Sequence, residues 1–532
     1  MNFTKSTWAA VGAALLVAAC GGGGGGSAGT QNDAPGRGQL MQSPPPRITS
    51  LTAADYNAKL IATPTGQSLL TLSTGSATGT VPCGVDVQYM KYGTVGGNAE
   101  ATTASAALMV PTGTDPKCTG ARPIVLFAHG TTVEKRYNLA DFTDTTNPAY
   151  GQAQLLASLF AAQGYIVVAP NYAGYDSSNL SYHPYLVADQ QSKDMMDALA
   201  AAKTALPTLI SGATASTKLF VTGYSQGGHV AMATHRALQT AGIPVTASAP
   251  MSGPYALAYF SDAIVGGRVN AGSTILLPML VSGYQKSYGD IYATSADYYE
   301  TPYATGIESL FPSAYTNTTL ITSGKLPQLA AFNSTSPAPA FDSVTPLTAG
   351  GTAGQLALWK SGFGASNLFK NSMRVAYLTD VAANPDSVVA AAATPANTLR
   401  QRLKQNDLRT WSNPGAPILM CGGANDPTVY YAANTTVMAT IWSAQVTAGL
   451  VSTLDLDAAA GAPGPTNPFY GAKAGFQATN TAIYTAAYNA NFATTSDVAA
   501  ATVAGQTAVV ASYHGGAAPF CTAAARGFFS LF

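Results

Sequence analysis

Three turn-like stretches of this sequence hold residue types suited to nucleophilic chemistry. The first is Gly223-Tyr224-Ser225-Gln226-Gly227, a G-x-S-x-G pattern. A serine hydroxyl is a poor nucleophile until a base takes its proton, and the base needs a third group to fix its tautomer. Five histidines can be considered: His129, His183, His229, His235 and His514. In a strand–turn–helix elbow built on G-x-S-x-G the chain order is serine, acid, histidine. Only His514, in Tyr513-His514-Gly515-Gly516, follows both Ser225 and a suitable acid. His229 is its nearest rival in sequence, but it lies on a helix running away from the turn and reads as a packing residue. The acid expected is Asp426, in Cys421-Gly-Gly-Ala-Asn-Asp426-Pro427 directly after an apolar run. Asp380, Asp407, Asp455, Asp457 and Asp497 stand as alternatives, none after so clear a strand. An oxyanion formed at Ser225 needs two backbone N–H donors. The expected pair is Gln226, immediately after the serine, and Thr131, in His129-Gly130-Thr131-Thr132. No CxxC or HxxxH spacing marks a metal site, and this chemistry requires no cofactor.

These residues need elements to hold them. Continuous apolar runs at 123–128, 165–169, 219–222, 245–249 and 417–420 read as strands buried on both faces, and helical spacing falls at 152–163, 189–205 and 228–241. Residues 86–94 and 104–110 read as an antiparallel pair. The alternation predicts an α/β fold: a mostly parallel sheet with helices on both faces. Ser225 then sits between a buried strand and a helix, with glycines that let the two approach closely. Core segments are expected over 51–253 and 415–532. The rhythm is lost over 254–414, which reads as a large inserted cap, rich in tyrosine. A second insertion separates Asp426 from His514, with a Pro/Gly-rich loop at 461–467.

Of 532 residues only 9% are charged, well below the roughly 25% of an average domain. Lys+Arg and Asp+Glu both number 25, so no basic field exists to attract nucleic acid. Lys5 followed by an apolar stretch over 8–19 and then Val17-Ala18-Ala19-Cys20 resembles the lipobox of bacterial lipoproteins. The resemblance implies a signal peptide over 1–20, lipidation at Cys20, and export to an outer-membrane or cell-surface anchor. Residues 21–50, opening with six glycines, read as a flexible linker. Four cysteines then remain, an even number suited to an oxidising compartment. Three pairings are possible. Cys83–Cys118 and Cys421–Cys521 are favoured, because the second would hold the acid loop beside a histidine loop and the first flanks the early strand pair.

The GYSQGG elbow, the AHG loop, the GGANDP turn and the YHGG histidine together resemble the bacterial secreted lipase/esterase branch of the α/β-hydrolase superfamily. The likeness covers most of the chain from about residue 82. It implies the α/β-hydrolase fold, ester substrates and acyl transfer through Ser225, His514 and Asp426. Two features depart from that pattern. The spacing of Asp426 and His514, 514 − 426 = 88 residues, is long, and the cap carries no assignable motif. A serine peptidase or amidase on the same fold, and a surface-binding lipoprotein without catalysis, are the competing readings.

Overall fold

The computed structural model describes residues 35–464 and 467–532. The signal segment over 1–20 and Cys20 lie outside the described residues. Nine strands follow one another along the chain: β1 (Arg47–Leu51), β2 (Gly84–Val95), β3 (Ala101–Thr112), β4 (Gly120–Ala128), β5 (Ile166–Pro170), β6 (Ala213–Tyr224), β7 (Ala247–Met251), β8 (Ile418–Gly422) and β9 (Val451–Asp455). They form one sheet in the order β1-β2-β3-β5-β4-β6-β7-β8-β9. The first three pairings are antiparallel and all those from β5 to β9 are parallel. Every residue of β5, β7 and β8 is buried, as uninterrupted apolar runs require of strands covered on both faces.

The order reverses at β4, which lies between β5 and β6. In an open parallel sheet such a reversal leaves a crevice at the carboxyl ends of the strands. The loop after β4 carries Thr131, the turn after β6 carries Ser225, and the turn after β8 carries Asp426. All three therefore emerge on one edge of the sheet.

The expected linker ends earlier than residue 50. Arg37 and Leu40 bridge to Gly93 and Tyr92, and β1 pairs with β2 from Arg47 to Leu51. Arg-Ile-Thr-Ser-Leu does not alternate cleanly and its register shifts between Arg47 and Thr49, so this mostly exposed edge strand carried no periodic signal after the Pro-rich residues before it.

Between β7 and β8 the chain forms helices and isolated bridges and, among the described residues, no strand. The helices Leu257–Val265 and Ser273–Tyr288 lie over the strand ends, and a buried ionic cluster ties this segment together. Arg400 meets Asp262 at 2.8 Å and Asp380 at 2.7 Å, and Arg409 meets Asp386 at 2.7 Å and Asp407 at 2.9 Å. Removing one partner of such a buried pair typically costs about 3–5 kcal/mol, because the other charge is left uncompensated.

The chain ends in a helical hairpin, Tyr470–Thr495 followed by Val498–Phe529. Asp497 caps the second helix by accepting from the N–H groups of Ala499 and Ala500. His514 lies in the middle of this 32-residue helix, not on the loop expected for it. Gly515 and Gly516 signal a break, but they are outweighed by alanine-rich flanks. Ala517, Cys521, Ala524, Ala525, Phe528 and Phe529 recur at helical spacing and are buried. No helix among the described residues is long and apolar enough to cross a membrane.

Candidate functional site

Ser225 occupies the tight turn between β6 and the helix Gln226–Thr240, with φ 62° and ψ −123°. That is a left-handed backbone position which non-glycine residues seldom adopt. Its N–H donates to the Met251 carbonyl at 3.0 Å, which ties the turn to β7. The turn closes because its glycines carry no side chain. A Cβ on Gly227 would drive into the Ala128 carbonyl at the end of β4, and one on Gly223 into the Gly227 carbonyl.

The Ser225 hydroxyl lies 2.7 Å from His514 Nε2, and His514 Nδ1 lies 2.7 Å from Asp426 Oδ2. Asp426 is 3% exposed. Besides the imidazole, its carboxylate accepts from Ser252 Oγ at 2.7 Å and from the N–H groups of Thr428 and Val429 at 2.9 and 3.1 Å. These donors hold the carboxylate in one orientation and satisfy a charge that burial would otherwise make costly. With Nδ1–H facing Asp426, Nε2 is the atom free to accept the serine proton.

The turn carrying Asp426 is held from β9. Ala424 N–H donates to Asp455 at 2.9 Å and Asn425 N–H to Asp457 at 2.8 Å. Asp457 also accepts from the hydroxyl of Tyr513, the residue before the histidine. Asp455 and Asp457, alternatives for the acid, thus position backbone. Asp380 and Asp407 are held by arginines and Asp497 is a helix cap. The helix bearing His514 is fastened twice more. Tyr224 donates its hydroxyl to the His514 carbonyl at 2.7 Å, and the disulfide Cys421–Cys521, Cα atoms 5.6 Å apart, joins the helix to β8. The second disulfide is Cys83–Cys118.

The other four histidines are buried, and each ring has at least one nitrogen against a carbonyl or a neutral side chain. Burial pushes His129 down to about 4 despite its contacts with the Gly130 and Asn171 carbonyls. His183 falls to about 3 for the same reason; its Nδ1 donates to the Ala173 carbonyl and its Nε2 accepts from the Gln226 amide at 2.6 Å. His229 contacts the Asn406 carbonyl, and His235 contacts Ser248.

Gln226 begins its helix, so its N–H precedes the first intrahelical acceptor and is open toward Ser225. Across the serine, Gly130 packs against the elbow: a Cβ there would stand 3.8 Å from that of Ser225. Neither Gln226 N–H nor Thr131 N–H meets a protein acceptor among the described residues. Thr131 is braced by its own hydroxyl, 2.8 Å from that of Tyr185. Sequence reasoning missed Ser252, Tyr224, Tyr513 and Tyr185. Only Ser252, directly after the strand β7, had a positional signal.

Among proteins of known family, the model described as the prolyl oligopeptidase family matches residues 152–246, the stretch that contains the serine turn. No curated protein matches the chain by sequence. The rice cell wall degrading esterase LipA from Xanthomonas oryzae is similar in structure, with TM-score 0.59 and 29% identity over 79% of this chain and 91% of that one. A ligand-bound form of the same esterase aligns over 90% of this chain and 98% of that one at 26% identity, with TM-score 0.59. The chain is an α/β-hydrolase. A structure from Legionella pneumophila shares the fold, at TM-score 0.57 and 20% identity over 78% of this chain and 91% of that one.

Above the serine of this α/β-hydrolase lies a cleft of about 1150 Å³. The elbow and Thr131 form its floor. The segment 270–276 and the helix Ala353–Ser361 form one side, and Val503, Thr507, Val510 and His514 of the final helix form another. Among the described residues no cluster of His, Cys, Asp or Glu is arranged to hold a metal ion.

Proposed function

We propose that this chain is a serine hydrolase of carboxylic esters, working through an acyl-enzyme on Ser225. The observation that carries the proposal is the unbroken hydrogen-bond chain Asp426–His514–Ser225, each link 2.7 Å, on the floor of an open cleft. In the first step Ser225 Oγ bonds to the ester carbonyl carbon while its proton passes to His514 Nε2. The negative charge that develops on the carbonyl oxygen is received by the N–H groups of Gln226 and Thr131. The bond from carbon to the alcohol oxygen breaks, and His514 returns its proton to the leaving alkoxide. Water then gives a proton to His514 and its oxygen attacks the acyl carbon; the bond from that carbon to Ser225 Oγ breaks and His514 returns the proton to Oγ, releasing the acid and restoring the serine. The Asp426 carboxylate, 2.7 Å from Nδ1, stabilises the imidazolium. The likeness to an esterase over most of both chains supports ester substrates. Two disulfides support export, and the proposed Cys20 anchor would hold the enzyme on the outer side of a membrane.

A second reading, serine peptidase or amidase, is favoured by the match to the prolyl oligopeptidase family. That match covers only the elbow and its flanking elements, which esterases share. Purified protein beginning after residue 20 is to be assayed on p-nitrophenyl esters and on aminoacyl-anilides. Ester hydrolysis should fall by roughly 10⁴-fold or more in Ser225→Ala. Anilide cleavage exceeding ester cleavage would establish the peptidase reading instead. Folded protein silent on both would leave a binding lipoprotein.

A further inference from the structure

Ser225 stands between two spaces of very different size. The wide cleft includes His514 and Thr131 in its walls. The second space, about 50 Å³, reaches Ser225 and Gln226 and, among the described residues, has neither His514 nor Thr131 in its lining. Its walls are mostly apolar, with Leu257, Phe260, Ile264, Leu276, Leu280 and Val429, and carry a few polar groups, Ser261, Asn270 and Thr428 among them. The two spaces meet at Ser225, Asn270, Leu276 and Thr428.

The chemistry assigns the two halves of an ester to these spaces. The leaving alcohol must sit beside the atom that protonates it, His514 Nε2, and of the two spaces it is the wide cleft that His514 lines. The acyl group, which stays on Ser225, is left with the small apolar space. One water-sized group occupies roughly 10–15 Å³ by the same measure of volume, so the space takes about three to five such groups. Resting on the esterase reading, we infer that this enzyme is specific for esters of short unbranched acyl groups, acetyl to butyryl, carried on large alcohols. Leu257, Phe260 and Ile264, all on the cap helix Leu257–Val265, line the space and bound the room for the acyl chain, while the alcohol has the much wider cleft.

The test is kcat/KM for p-nitrophenyl acetate, butyrate, octanoate and palmitate, with Ile264→Ala and Leu257→Ala beside the wild type. Butyrate or acetate should be best, and octanoate lower by at least about 10-fold, since a hydrophobic pocket discriminates by roughly that much for a group it cannot hold. Either variant should raise the octanoate-to-butyrate ratio by about 10-fold. Wild-type activity on octanoate equal to that on butyrate would overturn the inference, as would a ratio unmoved in both variants. A probe that needs no variant is p-nitrophenyl alkylphosphonate capture at Ser225. The methyl compound should label the wild type faster than the octyl one, and the reverse order would overturn the assignment. Butyrate esters of benzyl and naphthyl alcohols should be cleaved within about 10-fold of the ethyl ester, against a larger loss if the alcohol occupied the small space. Failure of the esterase reading itself is distinguishable, because the wild type would then cleave aminoacyl-anilides in preference to all four esters, or cleave none of them, whatever the acyl length.

Discussion

The two partners of the Ser225–His514 hydrogen bond are held by opposite means. The serine is fixed by backbone: β6, a left-handed turn and a helix closed against β4 and β7 at glycines, with its own N–H bonded to β7. The histidine is fixed by side chains. It rides in mid-helix, and that helix is fastened by the Tyr224 and Tyr513 hydroxyls and by Cys521. A backbone device has little room to adjust, because the interfering atoms are carbonyls of a packed sheet. A helix held by several separable contacts can lose one and shift by a fraction of an ångström. The difference teaches that damage at the serine end should be all-or-none, and damage at the histidine end graded.

The largest effect is therefore expected from Gly227→Val. The added side chain meets the Ala128 carbonyl at the end of the central strand, so either the turn opens or β4 and β6 part. Loss of folded protein, or of more than about 10³-fold in kcat in what folds, is expected, because a displaced nucleophile forfeits its positioning. Circular dichroism with esterase assay checks this. Retained activity within about 10-fold would mean that the elbow is softer than its geometry implies.

The same contrast explains what was legible in the sequence. The serine end is made of local features: a buried apolar run, G-x-S-x-G and a helix, all within some twenty residues, each constraining the next. The turn at Asp426 was readable for the same reason, a strand and a tight turn in contiguous residues. The histidine end depends on contacts remote in sequence. Tyr513 meets Asp457 across 56 residues, and Tyr224 meets His514 across 290. No periodicity or motif announces such pairs. The glycines at 515 and 516 pointed to a loop because helix propensity is a weak prior, overridden here by burial against the sheet. In the cap most helices are short and separated by prolines and glycines, and the longest, Ser273–Tyr288, has Pro278 inside it, a residue that reads as a helix breaker.

Acid should strain the serine end next. His129, His183, His229 and His235 follow β4, follow β5 or lie on the elbow helix, and burial lowers them to about 4, 3, 4 and 4. Unfolded, each takes up a proton near pH 6.5; folded, each stays neutral until far lower. The unfolded chain then binds more protons, so stability is present above about pH 6.5 and is lost as pH falls toward the folded values. Asp194 opposes this. Burial raises it to about 7, so its folded form holds a proton that the unfolded form releases above about pH 4, and acid favours folding there. Asp197 and Asp262, also raised by burial, oppose it in the same sense, so four histidines less Asp194 set an upper bound on the slope of ~4 kcal/mol per pH unit. Denaturant midpoints measured at pH 7.5, 6 and 5 should fall steeply, and a flat profile would mean that these imidazoles are already charged in the fold. Replacing His235 by Gln should remove about one part in four of the four-histidine contribution.

The two disulfides give the finest separation of the two ends. Both close loops, of 35 and 100 residues, so both should stabilise by restricting the unfolded chain, by about 4 and about 5 kcal/mol in the chain-entropy limit. Only one of them touches the site. Cys521 lies seven residues past His514, two helical turns along the same face, so Cys421–Cys521 sets the distance of that face from β8 and the Asp426 turn. Cys83–Cys118 ties the start of β2 to the turn before β4, at the other end of β4 from the loop carrying Thr131. Alanine at 83 and 118 should lower the denaturant midpoint while leaving kcat within about 2-fold. Alanine at 421 and 521 should lower the midpoint comparably and also lower kcat by about 10-fold with KM little changed, because a misplaced base weakens a contact made in the transition state. Equal kcat in the two pairs of variants would show that the tyrosine hydroxyls alone suffice to hold the histidine, and the disulfide would then serve folding only.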